Sequence, residues 1–340
     1  SAAVVAHFDP SWGKKNYENV LLLVRSIANP SRVDNFFPLL RHVDPFRGHS
    51  FASGITLPVF RNGRNQESSS EAIASYEAVA LYGATMSQIF EREGMAQEKG
   101  SADAVHSVGR SILNMELRSA KRYWHINHEK DDNDLLGGYR HGVVGILWQT
   151  MFQFQTFFGT APYFVYGIQL LPLTPASEQR DGLDWIRSMY SDFSGSCTGD
   201  CVSSGWSIQQ IAVLATGGQF VDALDEVNAL PDGAFETSGG NGHSRSNTLW
   251  YISTRPDVED PISIPPAQLP IATPLPVPAA PLVITCDKLE TCTPEVLDSD
   301  AGGFSCEARI RWLITTLNFS EQDACAQVAG EEYPNECNGC

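Results

Sequence analysis

Two glutamates in one short stretch are the residues of this chain best suited to chemistry. The segment NQESSSEA (65–72) places Glu67 and Glu71 four residues apart, behind Asn65 and Gln66. On a helix, that spacing puts both carboxylates on one face, about 6 Å apart at the backbone, where like charges repel by roughly 0.2–0.5 kcal/mol. The pattern therefore predicts either a solvated first helical turn or an acid pair that faces a cleft and transfers protons.

The elements that must position this segment are mostly helical. The chain has 340 residues, of which 42% are apolar and 10% aromatic, an ordinary globular composition. Residues 1 to about 255 alternate helix-period patterns with loops rich in Gly, Ser and Asp. The periodicity predicts helices at 11–28, 70–93, 102–124, 178–193 and 206–229. The apolar run YFVYGIQLL (163–171) fits a strand and a buried helix equally well.

The net charge and the hydropathy of the chain argue against two classes of partner, nucleic acids and membranes. The 40 acidic residues against 23 basic ones give a net charge of −17, which repels phosphate backbones and argues against nucleic acid. No run approaches about 18 apolar residues, so we expect no membrane span.

The segment SAAVVAHFDP (1–10) has no signal-peptide pattern and looks like the second half of a helix. We therefore expect a mature product or a fragment that another segment precedes.

Composition divides the chain into three parts. Nine prolines lie between Pro256 and Pro281, with few charges, which predicts a semi-rigid linker over 256–285. The first part is then a domain at 1–255, and the last is a compact module at 286–340. That module has eleven acids against three bases and a short helix pattern around Ile310 and Leu317.

The cysteines are concentrated at the end of the chain. Six of the eight fall in the module at 286–340, and the other two, Cys197 and Cys201, lie together. An even number packed into a small module favours disulfides and an oxidising, extracellular compartment. A zinc site is the alternative, but no pair of closely spaced doublets has zinc-finger spacing. We expect the six to pair among themselves, in one of fifteen arrangements.

Seven segments, in the same order along the chain, resemble the glycoside hydrolase family 81 endo-1,3-β-glucanases. The most specific is the acid motif at 65–72. The others are AHFDPSWGKK (6–15), IANPSR (27–32), GHSFASG (48–54), ELRSAKRYWHI (116–126), GIQLLPLTP (167–175) and NTLWYISTRP (247–256). The resemblance covers nothing after Pro256.

The resemblance implies an all-α catalytic region, an (α/α)6 barrel lacking its N-terminal part, with the small disulfide-rich helical module appended. Its implied activity is hydrolysis of internal β-1,3 linkages in laminarin-type glucan, with inversion and without a cofactor. The family's general acid lies on a segment similar to DHHFHYGY, which would precede Ser1, so we expect this chain to lack that acid. Phe51 stands where family members usually have Trp.

Inverting hydrolysis needs two carboxyl groups. One protonates the departing oxygen while the other activates a water on the opposite face, with about 6.5–9.5 Å between them. By resemblance, Glu71 is the general base, and Glu67 is the neighbour that holds the water or tunes the pKa of the base. Two crowded carboxylates raise the pKa of at least one of them.

Polar residues near the acids are candidates for sugar recognition. His49, in a Gly/Ser loop, fits a hydrogen bond to a sugar hydroxyl or to the water, and fits a structural role equally well. Asn65 and Gln66 suit hydroxyl recognition, with helix capping as the alternative. Glu116 could contact substrate, but an ion pair with Arg118 or Arg122 on its own helix is the favoured interpretation.

Two aromatic residues, Tyr123 and Trp124, are candidates for stacking against pyranose rings, although helix aromatics more often lie in a core.

The segment HINHEKDDND (125–134) suggests a metal site but fails both the HExxH and the EF-hand patterns. We therefore interpret it as a solvated acidic loop and expect no bound metal. Asp9 and Asp44 each precede Pro, a context typical of caps and turns.

The sequence is also compatible with two other functions. One is a non-catalytic protein that binds β-glucan, and the other is a structural cell-wall protein in which the Cys-rich module is the active part. For the leading interpretation we expect a secreted or cell-wall protein whose partner is β-1,3-glucan. We expect it to be a monomer, or to associate with its own upstream part.

Overall fold

A computed structural model describes residues 1–53, 62–127, 139–236, 243–262, 284–286, 288, 290–301, 305–317 and 319–340. The chain forms two compact units, Ser1–Pro266 and Ala267–Cys340. The predicted linker at 256–285 lies mostly outside the described residues, so the three-part division stays a prediction. No helix in the described ranges is long and apolar enough to cross a membrane.

The first unit is mainly helical, as the sequence predicts. Its helices are α1 (Ala2–Phe8), α2 (Pro10–Arg25), α3 (Ser69–Arg92), α4 (Ala96–Ser119), α5 (Pro162–Gly167), α6 (Ser177–Arg180), α7 (Leu183–Ser196), α8 (Asp200–Ser203), α9 (Ser207–Thr216), α10 (Phe220–Ala229), α11 (Gly233–Glu236) and α12 (Arg245–Ser253). A π-helical turn, Ala120–Trp124, continues α4. The all-α class is therefore confirmed, while closure into an (α/α)6 barrel stays a prediction.

Short antiparallel strands accompany the helices. They are β1 (Val43–Asp44), β2 (His49–Ser50), β3 (Asn65–Gln66), β4 (Ile146–Trp148) and β5 (Phe152–Gln153). Strand β1 pairs with β2, and β4 lies between β3 and β5. In that second sheet, Asn65 lies opposite Trp148 and Gln66 opposite Leu147. The segment just before the acid motif is thereby joined to a part of the chain some 80 residues further on.

The long helices α3 and α4 form a hairpin whose backbones lie very close together. A Cβ at Gly83 would stand 2.3 Å from the backbone nitrogen of His106, and one at Gly109 would stand 2.5 Å from that of Ala80. Only glycine fits at such approaches. Tyr17 of α2 packs with residues of this hairpin in one apolar core. The hairpin is therefore a tightly packed support for the acid motif, which lies at the start of α3.

A second apolar core lies among α5, α7, α9, α10 and α12. Its largest buried side chains include Tyr166, Trp185, Phe193 and Ile252. The sequence predicts one helix at 206–229, but the structure divides it into α9 and α10. The break falls at Gly217–Gly218, where Gly218 has a φ of +91°, a conformation that favours glycine and ends a helix. The ambiguous run at 163–171 is helical through Gly167 and irregular beyond it.

The second unit is a small helical module held by disulfides. It contains α13 (Pro294–Leu297), α14 (Cys306–Leu317) and α15 (Glu321–Gln327), followed by a π-helical turn, Val328–Glu332. Its bonds are Cys286–Cys325, Cys292–Cys340 and Cys306–Cys337. The expectation that the six cysteines pair among themselves is therefore confirmed.

The remaining two cysteines, Cys197 and Cys201, form their own disulfide. The Sγ atoms of Cys286, Cys292 and Cys340 lie within 4.8 Å of one another, a grouping that could suggest a metal site. Each belongs to a disulfide, however, and no free cysteine remains in the chain. These sulfurs are therefore not thiolates, the form in which cysteine binds zinc.

Candidate active site

The acid motif spans the junction between a strand and a helix. Strand β3 ends at Gln66, Ser68 is the N-cap of α3, and the helix begins at Ser69. The Ser68 Oγ accepts a hydrogen bond of 3.2 Å from the backbone N–H of Glu71. Ser and Glu at this spacing are the residues of a capping box. Glu67 therefore lies before the helix, and the expectation that both acids share one helical face is wrong.

The three serines of the motif fasten the start of α3 to the segment at 168–171. The Oγ atoms of Ser68 and Ser70 each donate to the Ile168 carbonyl oxygen at 2.9 Å. Ser69 donates from its hydroxyl to the side-chain oxygen of Gln169 at 2.8 Å. All three serines are buried, so these hydrogen bonds satisfy groups that water cannot reach.

Gln169 is the central cross-link of this junction, and the sequence did not single it out. Its amide nitrogen donates to the Glu67 backbone carbonyl and, at 3.1 Å, to that of Gly145. The side chain is completely buried. Gln169 thus fixes the backbone of Glu67 from a position 102 residues away.

A buried ion pair supports the same segment. Arg180 donates to the carboxylate of Asp181 through two hydrogen bonds of 2.6 and 2.7 Å, and a third bond reaches the Leu170 carbonyl oxygen at 2.9 Å. Both residues are at most 5% exposed. A buried pair with its hydrogen bonds satisfied favours one fixed arrangement, and here it holds the chain next to Gln169.

The two acids occupy different environments. Glu67 is half-buried, and its Oε1 accepts a hydrogen bond of 3.2 Å from the backbone N–H of Phe157. Burial raises the pKa of Glu67, the Phe157 hydrogen bond opposes that rise, and the charge of Glu71 adds to it. The expected rise in pKa is present for Glu67, although crowding by Glu71 is the smallest of these causes. Glu71 is exposed, so its carboxylate can meet water and substrate.

His49, Asn65 and Gln66 are all buried on β2 and β3. The Nδ1 of His49 lies 2.8 Å from the Ser50 carbonyl oxygen, and burial lowers the pKa of the ring. The Gln66 side chain donates to the Ser68 carbonyl at 2.9 Å. A helix cap would instead accept from a free backbone N–H at the start of the helix, so this contact is not a capping contact. Direct contact of any of the three with sugar stays a prediction.

Glu116 does not pair with the arginines of its own helix. Arg118 and Arg122 are exposed, whereas Glu116 is fully buried near the end of α4. Its carboxyl group accepts hydrogen bonds from the Ser50 backbone N–H and from the Ser119 hydroxyl. The residue therefore fixes the strand that carries His49, and the expected ion pair is wrong because the carboxyl group points into the interior.

Glu116 leads to a prediction about pH and stability. Burial raises its pKa from the ordinary value of 4.5 to about 7. The folded state therefore holds this proton more tightly than the unfolded state does. The stabilising contribution of Glu116 to the free energy of unfolding is fully present below pH 4.5 and is lost as the pH rises through about 7. The loss is on the order of 3 kcal/mol. Urea unfolding of Glu116→Gln, whose amide oxygen can still accept from Ser50, should lack this decline. Identical pH profiles for the variant and the parent chain would contradict the assignment.

Tyr123 and Trp124 differ in what they can offer a ligand. Trp124 is 0% exposed and packs with Ile126 and Val144, so as it lies here it presents no face to a sugar. Tyr123 is half-buried, and its ring lies 5.9 Å from the His49 ring, edge to face. Stacking by Tyr123 stays a prediction.

Asp9 and Asp44 act as the sequence predicts for acids that precede proline. Asp9 is the N-cap of α2 and accepts from the Trp12 backbone at 3.0 Å, while Asp44 accepts from the Phe46 backbone at 3.0 Å in a turn. Hydrogen bonds lower the pKa of both, for Asp9 mainly one from Ser11 and for Asp44 mainly one from the Arg47 backbone. An acid that is already ionised has no proton to give a leaving group.

The proposed acidic loop at 125–134 falls outside the described residues from 128 onward. His125 itself is 3% exposed, and its ring stacks on Trp185 with the two centroids 3.5 Å apart. The metal alternative for this segment therefore stays untested.

Comparison with known proteins places this arrangement in a family. Residues 1–252 match the family model described as the glycosyl hydrolase family 81 C-terminal domain. The chain thus belongs to glycosyl hydrolase family 81, and the resemblance found in the sequence is confirmed.

Individual relatives agree with that assignment. A glucan endo-1,3-beta-D-glucosidase of Glycine max is 30% identical over 267 residues, which are 75% of this chain and 36% of that protein. The primary septum glucan endo-1,3-beta-D-glucosidase of Schizosaccharomyces pombe is 30% identical over 63% of this chain and 20% of its own length. A mutant of a glycoside hydrolase family 81 protein from Clostridium thermocellum has a similar fold, with a TM-score of 0.59 and 25% identity over 77% of this chain and 34% of that one. The chain thus spans about a third or less of these relatives.

Proposed function

We propose that this chain is the C-terminal part of the catalytic region of a glycoside hydrolase that cleaves internal β-1,3 linkages in glucan. Glu71 acts as the general base, and Glu67 orients the attacking water. The observation that carries the proposal is the acid pair itself: an exposed carboxylate at the start of α3 beside a half-buried one held by a backbone amide. Two neighbouring carboxyl groups in unlike environments can take different roles in acid–base chemistry.

The mechanism that fits is inversion. Glu71 removes a proton from a water that attacks the anomeric carbon, while a separate acid protonates the leaving oxygen from the other side. That acid lies on a segment upstream of Ser1, by the family resemblance. The rigid junction of Ser68–Ser70 with Gln169 supports this role, because a general base must be held within hydrogen-bond reach of its water.

The relatives named as glucan endo-1,3-beta-D-glucosidases support β-1,3-glucan as the substrate. Four disulfides are typical of an oxidising compartment, so we propose a secreted or cell-wall protein. The first unit would complete an (α/α)6 barrel together with the upstream part of the protein.

A substrate panel tests the proposal. A protein extended upstream through the DHHFHYGY-like segment should release oligosaccharides from laminarin and leave a soluble β-1,4-glucan intact. Retention on laminarin without any product would instead favour the non-catalytic glucan-binding alternative. That alternative has one observation in its favour, since Asp9 and Asp44 are both engaged as caps or turns.

A further inference from the structure

A tight turn carries two adjacent phenylalanines beside the acid pair. Thr156 closes this turn, its backbone N–H and its hydroxyl both donating to the Gly159 carbonyl, at 2.9 and 2.8 Å. A Cβ at Gly159 would stand 2.7 Å from the ring of Phe164, so the turn lies flat against that ring and needs glycine there. The positions of Phe157 and Phe158 are therefore fixed by the fold.

The turn is bonded directly to one of the candidate catalytic acids. The backbone N–H of Phe157 donates to Glu67 Oε1 at 3.2 Å. The ring of Phe157 lies against Trp148, with the two centroids 5.9 Å apart and the planes at 74°. Trp148 belongs to β4, opposite Asn65 of the acid motif. The sheet thus sets the distance between the Phe157 ring and the acids.

The Phe157 ring is unusually accessible for a residue held so firmly. It is 56% exposed, whereas the Trp148 ring that supports it is 8% exposed. A single exposed apolar side chain is ordinary on a protein surface. The contact with Glu67 distinguishes this one, because it places an exposed aromatic residue next to one of the two candidate catalytic acids.

We propose that Phe157 is the stacking platform for a glucose residue of the bound glucan, next to the linkage that is cleaved. This inference rests on the proposed function and specifies its binding site. A pyranose ring has an apolar face of C–H groups, and binding sites place aromatic rings against such faces while a few polar groups fix orientation.

The test separates the ring of Phe157 from its backbone. Phe157→Ala removes the platform but keeps the N–H that holds Glu67, and Phe157→Tyr keeps a ring of similar size. Phe36→Ala is the matched control, since that ring is 87% exposed and its backbone is bound by Asp34 rather than by Glu67. Each variant of the 340-residue chain is run through gels that contain laminarin, and its dissociation constant is read from the retardation. Melting curves verify that each variant is folded.

We expect Phe157→Ala to raise the dissociation constant about tenfold, and Phe157→Tyr and Phe36→Ala to leave it within about twofold. If the parent chain binds laminarin and Phe157→Ala binds equally well, the platform is disproved while the proposed substrate stands. If the parent chain shows no retardation by laminarin, the substrate class and the platform both fail.

Discussion

Glu71→Gln should lower the turnover of laminarin by about 10²–10⁴ in the protein extended upstream, while the fold and glucan binding are kept. An amide cannot accept the proton of the attacking water, so the loss reports the base directly. The fold should tolerate the change because the Glu71 side chain is exposed and its contact with Ser68 is made through the backbone N–H. The measurement is the initial rate at saturating laminarin, together with a binding assay.

Two further glutamate variants serve as comparisons for Glu71→Gln. Glu91→Gln is the matched control, because Glu91 is exposed on the last turns of the same helix. It should retain full turnover. Glu67→Gln should reduce turnover less than Glu71→Gln, since the amide oxygen can still accept the hydrogen bond from Phe157. A Glu71→Gln variant with near-normal turnover would remove Glu71 from the mechanism.

The 340-residue chain by itself should hydrolyse laminarin at least about 10²-fold more slowly than the same chain extended upstream through a DHHFHYGY-like segment. The reason is the separation that inversion requires, with about 6.5–9.5 Å between the two carboxyl groups and the cleaved bond between them. In the proposed roles, Glu67 and Glu71 both act on the attacking water, which leaves no acid in the pair for the departing oxygen. Asp9 and Asp44 have lowered pKa values and are bound in a cap and a turn.

The comparison of the two chain lengths is made at equal protein concentration, with folding of each verified by its melting curve. Equal turnover of the two chains would show that the acid already lies within residues 1–340. Glu67 would then be the first candidate, since burial raises its pKa, and Asp44 would be a poor one, since it pairs with Arg64 at 3.3 Å.

The sequence predicts α2 and α3 well, because each has a strong period and clear ends. The helix expected at 102–124 begins earlier, at Ala96, and the one expected at 178–193 is divided into α6 and α7. The helix expected at 70–93 is α3, and the one expected at 11–28 is α2, which ends three residues early. The sequence also contains the signal that places Glu67 outside α3. Ser68 and Glu71 have capping-box spacing, and a helix that starts after Ser68 excludes Glu67.

The supports of the site were not predictable, because they are tertiary contacts. The hydrogen bond between Phe157 and Glu67 joins residues 90 positions apart, and the one from Gln169 to the Glu67 carbonyl spans 102. No local pattern encodes such pairs. The burial of Glu116 was likewise hidden, since a helical Glu close to two arginines ordinarily forms a surface ion pair. The sequence alone allows fifteen disulfide arrangements for the six cysteines of the module, and the structure shows which one forms.

The anomeric form of the first product tests the proposed mechanism most directly. The extended protein is mixed with laminarin, and proton NMR spectra are recorded from the first minutes, before the free sugars mutarotate. Inversion at a β-1,3 linkage, with Glu71 activating the water, predicts that the α-anomer of the new reducing end appears first and the β-anomer grows in later. A β-anomer that appears first would contradict the account, because it would require a covalent intermediate on one of the two glutamates.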